Sequence, residues 1–278
     1  MFKCKIKIPQ EIEEVFDSIF IEMFGGFEEN FEEDNKIYVL YFEEPKFIEE
    51  LKSFEIYFLD IKIEFIGDEW KEKWKKYVKP VEYKNFFIHP SFIEDKKDKI
   101  NIIIEPSFAF GTGEHETTRI CIETIIDLFE EKKDNDKIKF LDVGTGSGIL
   151  SIIAYKLGVR DIISFDIDPL AVKKAKEHFE INNIEVNSKN GIKLFTGGIE
   201  GLKDDIKFDF IVANIISSVL KQITPKLKLH LKENSLVLFS GILKSEIEDF
   251  IRFLENEGFS IERIIEKEKW AGVIGCLS

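Results

Sequence analysis

Apolar residues recur along this chain in textures that change from one segment to the next. FKCKIKI (Phe2 to Ile8) alternates apolar residues with lysines, the period-2 signature of a half-buried strand, and Pro9 punctuates it. EIEEVFDSIFIEMF then places Ile12, Val15, Phe16, Ile19, Phe20 and Met23 at helical spacing, and Gly25-Gly26 ends that helix. A weak strand near Phe27 to Phe31 comes next, followed by a strand in KIYVLYF (Lys36 to Phe42). PKFIEELKSF reads as a short helix opened by Pro45, and IYFLDIKIEFI as a last strand. The order β-α-β-β-α-β is the ferredoxin-like pattern, and it predicts a small α+β domain over residues 1–67.

GDEWKEKWKKYVKP predicts a charged linker helix over 68–80, with Trp70 and Trp74 four residues apart as an aromatic stripe that packs on a neighbouring domain, and with Pro80 closing it. From Phe86 the texture becomes short, near-continuous apolar runs alternating with helices: NIIIEP, KFLDVG, DIISFDID, FDFIVANI, SLVLFSGI and the late ERIIEKEKWAGVIGC. Such runs predict a mostly parallel sheet buried on both faces, an α/β domain over 81–278. Ligands of such sheets sit beyond the carboxyl ends of the strands, so the residues there carry the chemistry.

Composition narrows the class. The chain has 278 residues, 44% of them hydrophobic with 27 Phe, enough apolar surface for globular cores without staples. Three cysteines, Cys4, Cys121 and Cys276, lie far apart and fit neither a disulfide framework nor a zinc cluster, which points to a reducing compartment. No run approaches the roughly 18 apolar residues of a membrane span, so the reading is a cytoplasmic protein without a membrane role. Net charge is −14, and residues 1–67 alone hold 7 Lys against 17 Asp or Glu, a balance of −10. An acidic surface repels phosphate backbones and draws basic partners, or it serves as a solubility coat.

At the first strand end, KFLDVGTGSGILSIIAYKLG runs from strand through Gly144-Thr145-Gly146-Ser147-Gly148 into a helix. Glycines there let a ligand approach backbone that a Cβ would block. The dinucleotide fingerprint G-x-G-x-x-G fails, because its sixth position is Ile149. Asp142, two residues before the first glycine, repels a pyrophosphate and welcomes a positively charged ligand, or is a buried Asp satisfied by loop amides. Asp166 and Asp168 share one face of the next strand end; Asp166 is assigned to a ribose and Asp168 to capping the helix that Pro169 begins. The strand FDFIVA ends in Asn214-Ile215-Ile216-Ser217, where an amide oxygen and carbonyls can accept hydrogen bonds from an amine. FAFGTGEHETTR (Phe108 to Arg119) leads into a helix with Ile122, Ile125, Ile126 and Phe129 on its apolar face, putting Thr117 and Thr118 at its N-terminus, as caps or ligand contacts. Glu114-His115-Glu116 is consecutive, its side chains diverge, and no metal site is assigned. Neither a Ser-His-Asp arrangement nor a Walker sequence is present.

Together LDVGTGSG, FDID and VANI resemble the seven-stranded class I methyltransferases that use S-adenosylmethionine. AFGTGEHETT, DEWKEKWKKYVKP, the segment SGIL from Ser240 to Leu243 and EKEKW from Glu266 to Trp270 resemble, more particularly, the PrmA family, whose members methylate the eleventh protein of the large ribosomal subunit. The resemblance spans nearly the whole chain, by pattern more than letters in the first sixty residues. It implies that Thr118 contacts the cofactor, that Gly144 lies against its methionine part, and that Asp166 holds its ribose; Gly146 and Asp142 are counted with them as cofactor-binding. It implies further that Asn214 lines the place where methyl donor and acceptor meet. The first domain is then the substrate-recognition module, and the acceptors are lysine side chains and the amino terminus of that ribosomal protein. Ser107 stands where many relatives have glycine. Nucleic-acid amino-methyltransferases carry Pro-Pro-aromatic after the strand-four Asn or Asp, and Ile215-Ile216-Ser217 offers no such platform. A nicotinamide dehydrogenase is disfavoured by Asp142 and Ile149, while a silent ribosome assembly factor keeping the same fold is the alternative outside enzymology.

Overall fold

The computed structural model describes residues 2–9, 12, 13, 16, 20, 28–32, 35–42, 46–65, 79–105, 115–188 and 191–277. The linker helix expected with Trp70 and Trp74 lies outside these residues, as does the stretch from Phe108 to Glu114. Contacts divide the chain into two compact units, Met1–Lys79 and Pro80–Ser278.

In the first unit, β1 (Phe2–Pro9), β2 (Glu28–Glu32), β3 (Asn35–Phe42) and β4 (Asp60–Phe65) form an antiparallel sheet in the order β2-β3-β1-β4. With helical Glu13, Phe16 and Phe20 between β1 and β2, and α1 (Lys46–Ser53) between β3 and β4, this is the ferredoxin-like arrangement. The alternation in β1 turns Cys4, Ile6 and Ile8 onto Tyr38, Leu40, Phe16, Phe20 and Leu51. Tyr38 packs edge-on against Phe20 at 4.9 Å and donates its hydroxyl to the Glu13 carbonyl at 3.0 Å, so the buried ring keeps a polar partner. Burial pushes the Cys4 thiol up to about 12, which makes it a packing residue. The last strand is shorter than its apolar run suggests. Glu55–Tyr57 is a 3-10 turn, because the amides of Tyr57 and Phe58 bond back to Phe54 and Glu55, and Ile56 is left 84% exposed.

The second unit holds two sheets. One is small: β5 (Val81–Tyr83), β6 (Phe86–His89) and β7 (Ile100–Ile103). The other has seven strands, β8 (Lys139–Val143), β9 (Asp161–Asp166), β10 (Ile192–Thr196), β11 (Phe208–Asn214), β12 (Leu231–Leu243), β13 (Phe259–Lys267) and β14 (Trp270–Leu277), in the order β10-β9-β8-β11-β12-β14-β13. All neighbours pair in parallel except those involving β14. The helices α2 (Glu116–Phe129), α3 (Ile149–Lys156), α4 (Pro169–Ile181), α5 (Ser217–Leu227) and α6 (Ile247–Asn256) alternate with these strands.

Burial on both faces explains the uninterrupted apolar runs. Phe140, Phe210, Val212 and Leu238 point into one core with Ile125 and Phe129 of α2, while Leu141, Ile211, Ala213 and Phe239 point into the other with Phe250 of α6. Period-2 alternation carries Asp142 and Asn214 onto the first of these faces, in phase with Phe140 and Val212.

NIIIEP departs from the pattern of the other runs. Its residues form β7, which pairs with β6 outside the large sheet. Asn182, buried beyond the end of α4, holds that strand: its Oδ1 accepts from the Ile103 amide at 2.9 Å, and its Nδ2 donates to the Ile103 carbonyl at 2.7 Å and to the His178 carbonyl at 2.8 Å. One amide thus satisfies an edge residue that the large sheet does not reach. Asn182→Ala removes the side-chain partner of the Ile103 amide and carbonyl and is expected to cost about 2 kcal/mol or more in urea unfolding; a loss below about 0.5 kcal/mol would assign the seating of β7 to other contacts.

Candidate functional site

The loop from β8 to α3 is shaped by three glycines in left-handed backbone, Gly144 (φ +67°), Gly146 (φ +53°) and Gly148 (φ +81°). Gly144 has a second reason to lack a side chain, since a Cβ there would lie 2.6 Å from Ile215 Cγ2, at the end of β11. At Gly148 a Cβ would meet the Phe179 ring of α4, also at 2.6 Å. These close approaches draw the ends of β8, β11 and α4 together around the loop.

Asp142 lies beneath that loop, 1% exposed. Its Oδ2 accepts from the Thr145 and Ser151 hydroxyls, both at 2.7 Å, and Ser151 shares a 2.6 Å hydrogen bond with Ser164. Of the two sequence readings of this residue, its surroundings match a buried, satisfied carboxylate, held by the Thr145 and Ser151 hydroxyls and by the Ser151 amide. Desolvation pushes its pKa up to about 6, against the pull of Ser151 and Thr145, and the Asp166 charge adds to the rise.

Asp166, at the end of β9, receives the Gly146 amide on Oδ2 at 2.9 Å and the Asp168 amide on Oδ1 at 3.0 Å. The two oxygens together carry about four lone pairs, so the carboxylate retains acceptor capacity beyond its backbone amides. Burial raises its pKa, while the Asp168 and Gly146 amides oppose the rise. Asp168 caps α4, accepting from Leu170 N at 2.8 Å, with Pro169 in the first turn. Between the two acids, Ile167 stands 79% exposed, an apolar face beside the ribose candidate that the sequence reading passed over.

On the other side of the loop, Asn214 ends β11 with 9% exposure. Its Nδ2 donates to Thr118 Oγ1 at 3.2 Å, which fixes the amide so that Oδ1 faces the other way, and that buried oxygen meets no donor among the described residues. The first turn of α2 is tied to the same strand ends, since the Ser240 hydroxyl donates to the Thr117 carbonyl at 3.1 Å. Neither threonine caps α2. His115 does, its Nδ1 accepting from the Thr117 amide at 3.3 Å, and its ring meets Trp270 edge-on at 5.0 Å. An imidazole acceptor is an uncommon cap, and only the fold brings Trp270 beside it. Desolvation lowers the His115 pKa and favours the neutral, accepting ring.

Thus Asp142, Gly144, Gly146, Asp166, Thr118 and Asn214 come from three strand ends and one helix end to a single locality, with Ile215 as the wedge between its halves. No group of three or more His, Cys, Asp or Glu among the described residues is arranged to hold a metal ion.

A seven-stranded sheet of this order with one reversed strand, and with glycines and acids at the first two parallel strand ends, is the class I methyltransferase fold. The model of the ribosomal protein L11 methyltransferase (PrmA) family matches residues 10–277, and the chain belongs to that family. It is 38% identical over 210 residues to the ribosomal protein L11 methyltransferase of Dictyoglomus thermophilum, covering 75% of this chain and 66% of that protein. With the protein of that name from Caldicellulosiruptor saccharolyticus it shares 37% over 208 residues, 74% of this chain and 65% of the relative. The chain thus spans just under two thirds of the length of these relatives. A crystal structure of ribosomal protein L11 methylase from Lactobacillus delbrueckii subsp. bulgaricus aligns with a TM-score of 0.63 and 30% identity, over 72% of this chain and 99% of that one.

The buried carboxylate has a measurable signature. The folded pKa of Asp142, about 6, lies above its unfolded value, so the native state holds the proton more tightly. The stabilisation from this group is complete below about pH 4 and is lost as pH rises through about 6, by roughly 3 kcal/mol at neutral pH. Asp142→Asn removes the titration: in urea unfolding, variant stability minus wild-type stability is expected to grow between pH 4.5 and 7.5. A difference that stays flat across that range would remove the charge cost from Asp142.

Proposed function

We propose that this protein is an S-adenosylmethionine-dependent N-methyltransferase acting on the eleventh protein of the large ribosomal subunit, at lysine side chains and the amino terminus, in the cytoplasm. The observation that carries the amine chemistry is the buried, unpartnered Oδ1 of Asn214, held in place by Thr118. A buried acceptor without a donor is costly, and an amine N–H arriving there relieves that cost.

The residues present fit the cofactor. Gly144 and Gly146 leave backbone open to a ligand at the end of β8, and Asp166 retains lone pairs for a ribose diol. Ile167 offers an apolar face for the purine, and Thr118 closes the side towards α2. Above its pKa of about 6 the Asp142 carboxylate, together with Asp166, gives the loop a negative potential that favours a cationic ligand. Asp142 acts through the loop it holds, since it is buried beneath Thr145. When bound, S-adenosylmethionine supplies a methyl group activated by its positively charged sulfur.

The chain's own part is to receive and orient the acceptor. A lysine in water, with a pKa near 10.4, is almost wholly charged at neutral pH and has no free lone pair. Entry into a partly buried site lowers that value, and water takes the proton. Asn214 then accepts one remaining N–H, which fixes where the nitrogen lone pair points. Holding that direction is the catalytic contribution, because a well-oriented neutral amine needs no stronger base. Ile215 and Ile216 offer no aromatic platform for a nucleobase, which favours an amine over nucleic acid.

The acidic first unit, with a balance of −10 over residues 1–67, suits a basic ribosomal protein, and we assign it recognition of that partner, joined through a linker helix over 68–80. The direct test is intact mass of large-subunit proteins incubated with this protein, with and without S-adenosylmethionine. Stepwise methyl additions confined to the eleventh protein are expected; additions only elsewhere would refute the partner, and no addition at all would refute the activity. Within the site, Asn214→Ala is expected to lower kcat about a hundredfold with little change in cofactor affinity. Asp166→Ala is expected to weaken cofactor binding by about ten- to a hundredfold through loss of charged hydrogen bonds. Wild-type kinetics in both variants would sink the site assignment.

A further inference from the structure

His178 is a buried imidazole to which neither the fold's core nor the proposed chemistry assigns a role. It sits on the inner face of α4, 1% exposed. Nδ1 lies 2.7 Å from the Ser147 carbonyl, an oxygen that only accepts, so Nδ1 carries the proton. Nε2 in turn accepts from the Glu105 amide at 3.1 Å. The two bonds define one neutral tautomer with both ring nitrogens used. Desolvation lowers the pKa, in keeping with that neutral form, against the pull of the Ser147 carbonyl.

What the ring joins is specific. Ser147 belongs to the glycine loop between β8 and α3. Glu105 follows β7, and the chain runs on from it towards His115 and Thr118. The two partners are 42 residues apart in sequence, and no strand pairing links them, because β7 belongs to the small sheet. Four residues on, on the same face of the chain, Asn182 holds Ile103 at 2.9 and 2.7 Å, so the β7 exit is gripped at alternate residues from one support. If packing alone were required at position 178, an apolar side chain would serve at lower cost, because each buried ring nitrogen must find a partner. Apolar packing of Ile102 and Ile104 against Ile149 and Ile153 brings the two segments near each other, and the polar ring adds a directed donor and acceptor to their backbones.

We propose that His178 is a positioning residue that fixes the Ser147 carbonyl of the glycine loop against the β7 exit, so that the loop is presented to the cofactor in one conformation. This rests on the methyltransferase reading above. The imidazole touches neither cofactor nor acceptor; it acts by holding the Ser147 carbonyl and the Glu105 amide at a fixed separation. Its loss therefore weakens cofactor binding and leaves the methyl-transfer step, governed by Asn214, nearly intact once the site is filled.

The test is calorimetric titration of S-adenosylmethionine into wild type, His178→Phe and His178→Gln, with kcat and KM for the cofactor measured alongside. Phenylalanine keeps the ring and removes both hydrogen bonds; glutamine carries a donor and an acceptor on one planar group. Expected is a rise of about tenfold in Kd and in cofactor KM for His178→Phe, with kcat within about twofold of wild type, and recovery to within about threefold in His178→Gln. His178→Ala repeats the deletion should the phenylalanine variant fail to fold, with folding followed by circular dichroism. A folded deletion variant that binds with wild-type affinity, a loss confined to kcat, or a folded glutamine variant no better than the deletion would each overturn the proposal. Wild type that binds no S-adenosylmethionine would instead overturn the reading on which it rests.

Discussion

A carboxylate buried near the carboxyl end of β8, an inner strand of the large sheet, constrains everything around it. Asp142 is removed from water in phase with Phe140, on a face that is mainly apolar away from Ser151 and Ser164. A charge in that position is tolerable only if hydrogen-bond donors converge on it, and the chain supplies them from Thr145 in the following loop and Ser151 in the following helix. To bring both hydroxyls onto one oxygen, the chain must turn back within a few residues, and the left-handed glycines make that turn without strain. The cost of burying the charge is thereby tied to the geometry of the loop that faces the ligand.

From this turn the remaining contacts extend outward. Gly146 leans on Asp166, Gly144 lies against Ile215, and the strand that Ile215 continues ends in Asn214, braced by Thr118. The first turn of α2, secured by Ser240 and capped by His115 against Trp270, closes the circuit through the fifth strand and the reversed hairpin. Apart from Asn214 Oδ1, these groups are engaged with one another, so that open buried acceptor within the site marks where chemistry is expected. Rigid support on several sides is what orientation of an amine demands.

Charge separates the labour of the chain. The second unit places Asp142 and Asp166 at strand ends, where they shape a local potential, whereas residues 1–67 carry 17 acids against 7 lysines. A diffuse negative field of that kind acts at long range on the approach of a basic protein and contributes little to stability.

Much of this was legible in the order of residues. Strand alternation in FKCKIKI, the glycines after KFLDV, the acids of FDID and the asparagine of VANI each follow from local rules: pleat period, left-handed backbone, capping and position at a strand end. These determined the buried parallel sheet and the candidates at its edge. Other features depend on residues far apart in sequence and have no local signal. NIIIEP has the composition of a central strand, yet the grip of Asn182 seats it in a separate sheet. The α2 cap went to His115 and not to a threonine, because Trp270 arrives from the far end of the chain to bury the ring. Whether Asp142 faces a ligand or lies beneath the loop was decided by Ser151 and Ser164, and the place of His178 by Ser147 and Glu105. The sequence by itself determined which groups stand at the strand ends; tertiary structure decided which of them are satisfied and which left open, because a hydrogen bond needs its partner in space.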